Sequence, residues 1–199
     1  MIAGKKILLA SGSPRRKILL KQLGIEFDVR ESGVDEQNDV PKDPREHVSV
    51  LSARKAIAVG RTAQDCIVVG ADTIVVLDGI ILGKPKDSRN AVEMLTMLSG
   101  RTHEVYTGIT LLDRPSDEQR TAVEVTEVTF RRLASDEIEK YVASGSPLDK
   151  AGAYGIQDDY GAVFVERING CFYNVVGFPL SRFYIELLQF QKELGILER

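Results

Sequence analysis

Residues that build metal centres and covalent cross-links are scarce in this chain of 199 residues. It contains two cysteines, two histidines and no tryptophan. Cys66 and Cys171 lie far apart in the sequence. His47 and His103 are equally isolated, so no stretch has the close Cys and His spacing of a zinc site. The rarity of cysteine favours reduced thiols in a cytoplasmic protein.

Long apolar runs and a strong excess of one charge are also absent. The most apolar stretch, residues 67–82, is interrupted by Asp72 and Asp78, whereas a membrane helix needs roughly 18 apolar residues. Residues 7–10, after two lysines, are too short for the core of a signal peptide. The net charge of −3 disfavours coating of nucleic acid, because such binding neutralises many phosphates. We therefore expect a cytoplasmic protein with no membrane and no nucleic-acid partner.

Two kinds of apolar pattern predict an α/β protein. Short apolar strands, such as residues 66–71, alternate with segments that carry apolar residues at helical spacing. Asp78-Gly79, between two such strands, predicts a β-hairpin. Because hairpins occur beside long helices, the sequence favours a mixed twisted sheet with flanking helices. The length fits one ordinary domain, so we assign residues 1–199 to a single domain.

Capping residues predict where the helices begin. Ser13 followed by Pro14 favours one helix start, and Asp43 favours another. Ser135 is predicted to cap a third helix, with acidic residues in its first turn. Residues 161–168 are predicted to form a strand.

Two adjacent arginines stand at a predicted strand-to-helix junction, in the run SGSPRR (residues 11–16). The first turn of a helix offers free N–H groups and the positive end of the helix dipole, which together suit a phosphate. Arg15 and Arg16 oppose that dipole, so their placement favours an anion bound between them and the backbone. A plain capped helix with solvated arginines stays open as the alternative.

Two charged residues interrupt apolar patterns. Asp72 lies inside an apolar run, where a carboxylate is costly unless it is paired or binds a metal, so it is a candidate site residue. A turn or cap at a strand end is the alternative for Asp72. Lys55 shares a helical stripe with Val48 and Leu51. Its ammonium either snorkels to the surface or points into a cleft.

Three further segments carry polar groups suited to a nucleotide. Lys84 follows a glycine without the spacing of a Walker A loop, yet it can meet a phosphate as a point charge. In residues 149–157, small residues let a backbone approach a ligand, and Tyr154 and Gln157 are able to read a base; a Gly-rich turn is the alternative. Glu36 adds an acid in a polar loop. Phosphate-binding cations together with a few carboxylates indicate metal-assisted phosphate chemistry.

Taken together, these segments resemble the Maf family of nucleoside triphosphate pyrophosphatases over residues 8–181. The resemblance implies an α/β fold with two lobes around a central cleft, like that of inosine-triphosphate pyrophosphatases, and often a homodimer. Phe178 stands where leucine is more usual in the family. The motifs that carry the resemblance occur in the family's order: ASGSPRR (10–16), DE (35–36), ARKA (53–56), GADT (70–73), GKP (83–85), SGRTH (99–103), DKAGAYGIQ (149–157) and NVVGFP (174–179).

The resemblance implies hydrolysis of a nucleoside triphosphate to the monophosphate and pyrophosphate, with a divalent cation, Mg²⁺ or Mn²⁺. The runs ADT (71–73) and YGIQ (154–157) resemble the branch that acts on dTTP and UTP. By the family pattern, Asp72 accepts a proton. The residues expected to set specificity are Arg15, Thr73 and Gln157. The residues expected to bind phosphate are Ser11, Ser13, Arg16, Lys55 and Lys84, and those expected to bind the metal are Glu36 and Asp72.

Two other functions stay open. The family is also linked to septum formation, so the chain can be a nucleotide-responsive regulator of cell division with little turnover. The same chemistry can also act on 7-methyl-GTP or inosine triphosphate. Asp72 argues against the first alternative, and Thr73 and Gln157 argue against the second.

Overall fold

The sheet combines parallel and antiparallel strands, as the sequence predicts. A computed structural model describes residues 4–157 and 160–197. The strands in this part of the chain are β1 (Lys6–Leu9), β2 (Phe27–Val29), β3 (Cys66–Leu77), β4 (Ile80–Leu82), β5 (Thr102–Arg114), β6 (Gln119–Phe130) and β7 (Val165–Asn169). Their order is β2-β1-β3-β5-β6-β7, and β4 pairs with β3. β1 is parallel to β2 and β3, whereas β4 is antiparallel to β3 and β7 to β6.

The helices of the described residues include the three whose starts were predicted from capping residues. They are α1 (Pro14–Gln22), α2 (Pro44–Gly60), α3 (Ser88–Leu98), α4 (Ser135–Ala143), α5 (Phe172–Val176) and α6 (Leu180–Glu193). Short 3-10 helices occupy Ser146–Asp149, Ala151–Ala153 and Tyr160–Phe164. Across residues 4–157 and 160–197, no helix has both the length and the apolar character needed to cross a membrane.

The described chain divides into two compact units. Unit 1 comprises residues 4–72, 107–124 and 177–197. Unit 2 comprises residues 73–106 and 125–176, without 158 and 159. Strands β3, β5 and β6 each contribute residues to both units. The mixed α/β class predicted from the sequence is confirmed.

The core of unit 1 lies where α2 packs on β1 and β3. β1 pairs with β3 in parallel register, with Leu9 opposite Val69. A Cβ atom at Gly70 would lie 2.1 Å from the carbonyl oxygen of Ser52, so only glycine lets the α2 backbone come this close to β3. The buried residues of this contact are Leu8, Ala10, Ala56, Val59, Ala63, Cys66, Val68 and Leu112.

The core of unit 2 is built from apolar faces of α3 and α4 and from an aromatic group. Helices α3 and α4 contact each other, and each buries apolar residues at helical spacing. Phe130 is surrounded edge-on by other rings, with its centroid 4.7 Å from Tyr154 and 6.0 Å from Phe164. Such edge-to-face contacts add to the stabilisation that burial of the rings supplies.

The helix starts predicted at Ser13 and Asp43 are confirmed, and the one predicted at Ser135 differs. Asp43 accepts a hydrogen bond from the Glu46 N–H at 2.9 Å, as predicted. Ser13 precedes α1, but its side chain makes no capping hydrogen bond. The prediction for Ser135 is wrong: α4 begins at that residue, and its first turn is held by Glu137, which accepts from the Ala134 N–H at 3.1 Å.

Two predicted boundaries in the C-terminal part also differ. The strand predicted over residues 161–168 begins only at Val165, because Tyr160–Phe164 forms a 3-10 helix. The short helix α5 was not predicted, since five residues are too few to show a helical period.

Candidate active site

The predicted phosphate-binding run begins at the carboxyl end of β1. The Ala10 N–H donates to the Val69 carbonyl at 2.8 Å, which extends the pairing of β1 with β3 up to Ser11. The Ser11 hydroxyl is buried and accepts hydrogen bonds from the Ser13 N–H at 3.2 Å and from Arg16 Nη1 at 3.3 Å. The carboxyl ends of parallel strands are where open α/β sheets place their ligands. Ser11, Ser13 and Arg16 therefore meet at a position suited to ligand binding.

Arg16 connects three segments of unit 1. Its Nη1 donates to the Ala71 carbonyl at 2.9 Å, and its Nε donates to the Gly177 carbonyl at 3.0 Å. Burial lowers the pKa of Arg16, whereas the charges of Asp72 and Glu36 raise it. An arginine stays protonated in proteins, so the guanidinium is a fixed positive charge beside these acids. It also fixes the carbonyl of the residue that precedes Asp72.

Lys55 contacts both Glu36 and Asp72, two acids that lie far apart in the sequence. Its Nζ lies 2.6 Å from Asp72 Oδ1 and 2.6 Å from Glu36 Oε1. Lys55 and Asp72 are each 6% exposed, whereas the Glu36 side chain is 44% exposed. Buried charges persist only when they are paired, and here each of the buried pair satisfies the other. The ammonium is therefore held among carboxylates and does not snorkel to the surface.

The local sequence explains why this pair forms. Val48 and Leu51 bury one side of α2, and Lys55 follows on the same stripe. β3 runs without a break through Asp72, with apolar residues buried on both sides of it in the sequence. A turn at Asp72 is therefore excluded. The close approach of α2 to β3 at Gly70 then brings the lysine within reach of the acid.

Arg54 is a site residue that sequence reasoning missed. Its guanidinium donates to the Asn38 carbonyl at 3.0 Å and to the Asp39 carbonyl at 2.6 Å. Asp35 folds the same loop, because it accepts from the Gln37 N–H at 2.8 Å, and this bond lowers the pKa of Asp35. These contacts hold the loop that carries Glu36. The signals in the sequence were the position of Arg54 beside Lys55 and its place in the ARKA motif (53–56).

Of the remaining predicted residues, Arg15 is half-buried in the first turn of α1 in unit 1, and the others lie in unit 2. Thr73 follows Asp72 in β3 and is half-buried, and Lys84 is exposed after β4. Gln157 Oε1 is buried and accepts no hydrogen bond from residues 4–157 and 160–197. The Gly152 N–H donates to the Gly83 carbonyl at 3.0 Å, which ties the segment before Gln157 to the segment that carries Lys84.

The acids of unit 1 have the chemistry that a divalent cation requires. Within the described residues, no group of three or more His, Cys, Asp or Glu side chains could hold a metal by itself. Asp72 and Glu36, however, both contact one cationic group, the Lys55 ammonium. Mg²⁺ is commonly bound by one or two carboxylates together with substrate phosphates, so this pair fits such an ion.

Comparison with known proteins settles the family. The family model described as "Maf-like protein" matches residues 6–190. This chain belongs to the Maf-like protein family. The resemblance seen in the sequence motifs is thereby confirmed, and the matched range includes every residue of the candidate site.

Relatives of this Maf-like protein are similar along nearly their whole length. A protein from Bacillus cytotoxicus named dTTP/UTP pyrophosphatase is 51% identical over 186 residues, which cover 94% of this chain and 96% of the relative. A protein of the same name from Bacillus thuringiensis subsp. konkukian is 50% identical with the same coverage. A Ham1 protein from Staphylococcus aureus aligns with a TM-score of 0.43 at 16% identity, over 63% of this chain and 72% of that one. That structural likeness is too weak to support an argument about the fold.

Proposed function

We propose that this Maf-like protein is a nucleoside triphosphate pyrophosphatase that hydrolyses dTTP and UTP to the monophosphate and pyrophosphate. Relatives at half identity over almost the whole chain are named for this activity. The structural observation that supports the proposal most directly is the buried carboxylate of Asp72, held 2.6 Å from the Lys55 ammonium. A carboxylate held at a fixed place is a group that can accept a proton from a water within hydrogen-bond reach.

In the proposed reaction, water attacks the α-phosphorus and gives a proton to Asp72. The new P–O bond forms as the bond from the α-phosphorus to its bridging oxygen breaks, and pyrophosphate leaves with the electron pair. Lys55 orients the Asp72 carboxylate, and Glu36 holds the other side of the ammonium. Glu36 and Asp72 would hold the divalent cation, which supplies neutralisation of phosphate charge and activation of water.

The start of α1 is proposed to bind phosphate oxygens. Ser11 and Ser13 precede a nine-residue helix whose first turn contains no acid. The positive end of the helix dipole, together with the Arg15 side chain, presents positive charge to an anion. Arg16 donates to protein carbonyls, so we propose that it acts at least partly by holding this loop in place.

Gln157 is proposed to distinguish uracil and thymine from cytosine. Its buried Oε1 accepts no hydrogen bond from the described residues. The N3–H of uracil or thymine is a donor that can satisfy this oxygen, whereas N3 of cytosine is an acceptor and leaves it unpaired. Leaving a buried polar group unpaired costs about 1–3 kcal/mol, which suffices for selection among bases. Thr73 and Arg15 are proposed to contribute to the same selection, and Lys84 to bind phosphate.

The test of the proposed function is a nucleotide panel with Mg²⁺ or Mn²⁺, scored for each product. We expect pyrophosphate and monophosphate from dTTP and UTP in preference to ATP, GTP and CTP. Orthophosphate as the first product would place the attack at the γ-phosphate and contradict the mechanism. Nucleotide binding without turnover would favour a regulator of cell division, and faster hydrolysis of 7-methyl-GTP would overturn the choice of substrate.

We further propose that residues 1–199 work as a single Maf-like domain. The family model spans residues of both units without interruption. We also propose a cytoplasmic location. It is supported by the two cysteines, which are free thiols, as is usual in a reducing compartment.

A further inference from the structure

A buried histidine and tyrosine form a hydrogen-bonded pair in the core of unit 2. His103 Nε2 lies 2.8 Å from Tyr154 Oη, and the two residues are 2% and 6% exposed. Phe130 packs edge-on against both rings, with centroids 4.9 Å from His103 and 4.7 Å from Tyr154. The rings therefore have little freedom to move relative to one another.

This pair is uncharged at neutral pH. Burial lowers the pKa of His103 to about 4 and raises the pKa of Tyr154. Two neutral, solvent-excluded groups are poorly placed to exchange protons with a substrate. The hydrogen bond instead satisfies two polar atoms that would be costly to bury alone.

Tyr154 lies in a segment whose backbone is strained. Gly152 has a φ of 66° and Ala153 a φ of 61°, so two consecutive residues adopt the left-handed conformation. This conformation is uncommon for alanine, and it persists only where surrounding contacts impose it. A Cβ atom at Gly152 would lie 2.9 Å from the Val75 side chain, so the turn is also tightly packed. Gln157 follows three residues after Tyr154.

The turn has its own bond from the Ala153 N–H to the Lys150 carbonyl at 3.1 Å, and three further hydrogen bonds within unit 2 hold it to its surroundings. The Gly152 N–H donates to the Gly83 carbonyl at 3.0 Å. The Gly155 N–H donates to the Tyr141 hydroxyl at 3.2 Å. The side chain of Tyr154 supplies the third, through its bond to the histidine. Two of the three bonds lie after the strained turn, on the side that leads to Gln157.

We infer that the hydrogen bond between His103 and Tyr154 positions the segment that presents Gln157, and so sets the selectivity for a uracil-type base. The inference rests on the proposed function. Gln157 can accept from a base N3–H only if its Oε1 stands at a defined place, because hydrogen bonds weaken steeply with distance and angle. His103 and Tyr154 are thus positioning residues. The bond of Gly152 to Gly83 is separate from this pair, so the segment that carries Lys84 should keep its place without it.

Tyr154→Phe tests the inference, since it removes one hydroxyl and keeps the ring packed on Phe130. We would measure kcat/KM for UTP and for CTP, and the inhibition constant of inorganic tripolyphosphate, which has no base. The UTP to CTP ratio should fall about tenfold, the change expected for loss of roughly one hydrogen bond. The inhibition constant of tripolyphosphate should change by less than about twofold, because phosphate contacts are retained.

Thr126→Val is the matched control. It removes another buried hydroxyl of unit 2, one that accepts from the Cys171 N–H at 3.0 Å and from Asn174 Nδ2 at 3.0 Å. It should lower the melting temperature measured by circular dichroism, yet leave the UTP to CTP ratio unchanged. An equal loss of selectivity in this variant and in Tyr154→Phe would overturn the inference, because destabilisation alone would then explain it.

Retention of wild-type selectivity by folded Tyr154→Phe would also overturn the inference. Should that variant fail to fold, His103→Phe removes the same hydrogen bond from the other side, keeps an aromatic ring against Phe130, and carries the same expectation and the same refutation. Failure of the proposed function is distinguishable, because it appears in the wild-type protein as absence of UTP hydrolysis before any variant is compared.

Discussion

Replacement of Asp72 by asparagine separates a catalytic carboxylate from a structural one. The change keeps the side-chain volume and removes the charge that faces the Lys55 ammonium at 2.6 Å. If Asp72 accepts the proton of the attacking water, its loss should slow turnover by about 10²–10⁴-fold. The assay is continuous detection of pyrophosphate released from UTP.

The structure also bounds the effect of Asp72→Asn on stability. Removing one partner of a buried ion pair typically costs about 3–5 kcal/mol. Lys55 retains Glu36 at 2.6 Å, and the asparagine oxygen can still accept from the ammonium. We therefore expect the smaller loss of a charged hydrogen bond, about 2 kcal/mol. For a chain of this size, that loss corresponds to a fall in melting temperature of about 4–8 °C.

Asp78→Asn is the matched control for this prediction. Asp78 stands at the turn between β3 and β4, is exposed, and pairs with Arg101. Exposed pairs contribute at most about 1 kcal/mol, and asparagine tolerates the left-handed conformation of this turn. Turnover of this variant should equal that of the wild type. Near wild-type turnover by folded Asp72→Asn would contradict a role for Asp72 as proton acceptor and leave it only a structural partner of the lysine.

Three further predictions follow from other parts of the structure. Lys84→Ala should lower kcat/KM for all accepted triphosphates alike, by the ~1.5–3 kcal/mol of a charged hydrogen bond, measured over the nucleotide panel. Gln157→Leu should erode the preference for UTP over CTP, whereas the inhibition constant of tripolyphosphate should not change. Burial lowers the pKa of His103 to about 4, so on acidification the unfolded chain binds a proton at this histidine before the folded chain does. Chemical denaturation should therefore show the free energy of unfolding falling by about 1.4 kcal/mol per pH unit as the pH is lowered from about 6.5 to about 4. His103→Gln should remove this slope.

Local patterns in the sequence predict most of the strands and helices, because their causes are local. The apolar run around Asp72 indicated β3, and Asp78-Gly79 indicated the turn to β4. The Asp43 cap was found because a carboxylate three residues before a free N–H is a short-range contact. Ser135 was misassigned because an acidic residue in the first turn of α4 provides the cap instead.

Contacts between distant residues were beyond the sequence patterns. Lys55 and Asp72 are 17 positions apart, and their pairing depends on the packing of α2 against β3 at Gly70. The three hydrogen-bonded groups of Arg16 lie on separate segments, as far along the chain as Gly177. Composition and periodicity contain no information on such partners, so the residues were found as candidates but their contacts were not.

Hydrolysis of UTP in water enriched in ¹⁸O, with mass spectrometry of both products, shows which phosphorus the water attacks. One ¹⁸O atom should enter the monophosphate and none should enter pyrophosphate. Label in pyrophosphate would place the attack at the β-phosphorus. Labelled orthophosphate would place it at the γ-phosphorus, and either result would contradict the roles proposed for Asp72, Lys55 and Glu36.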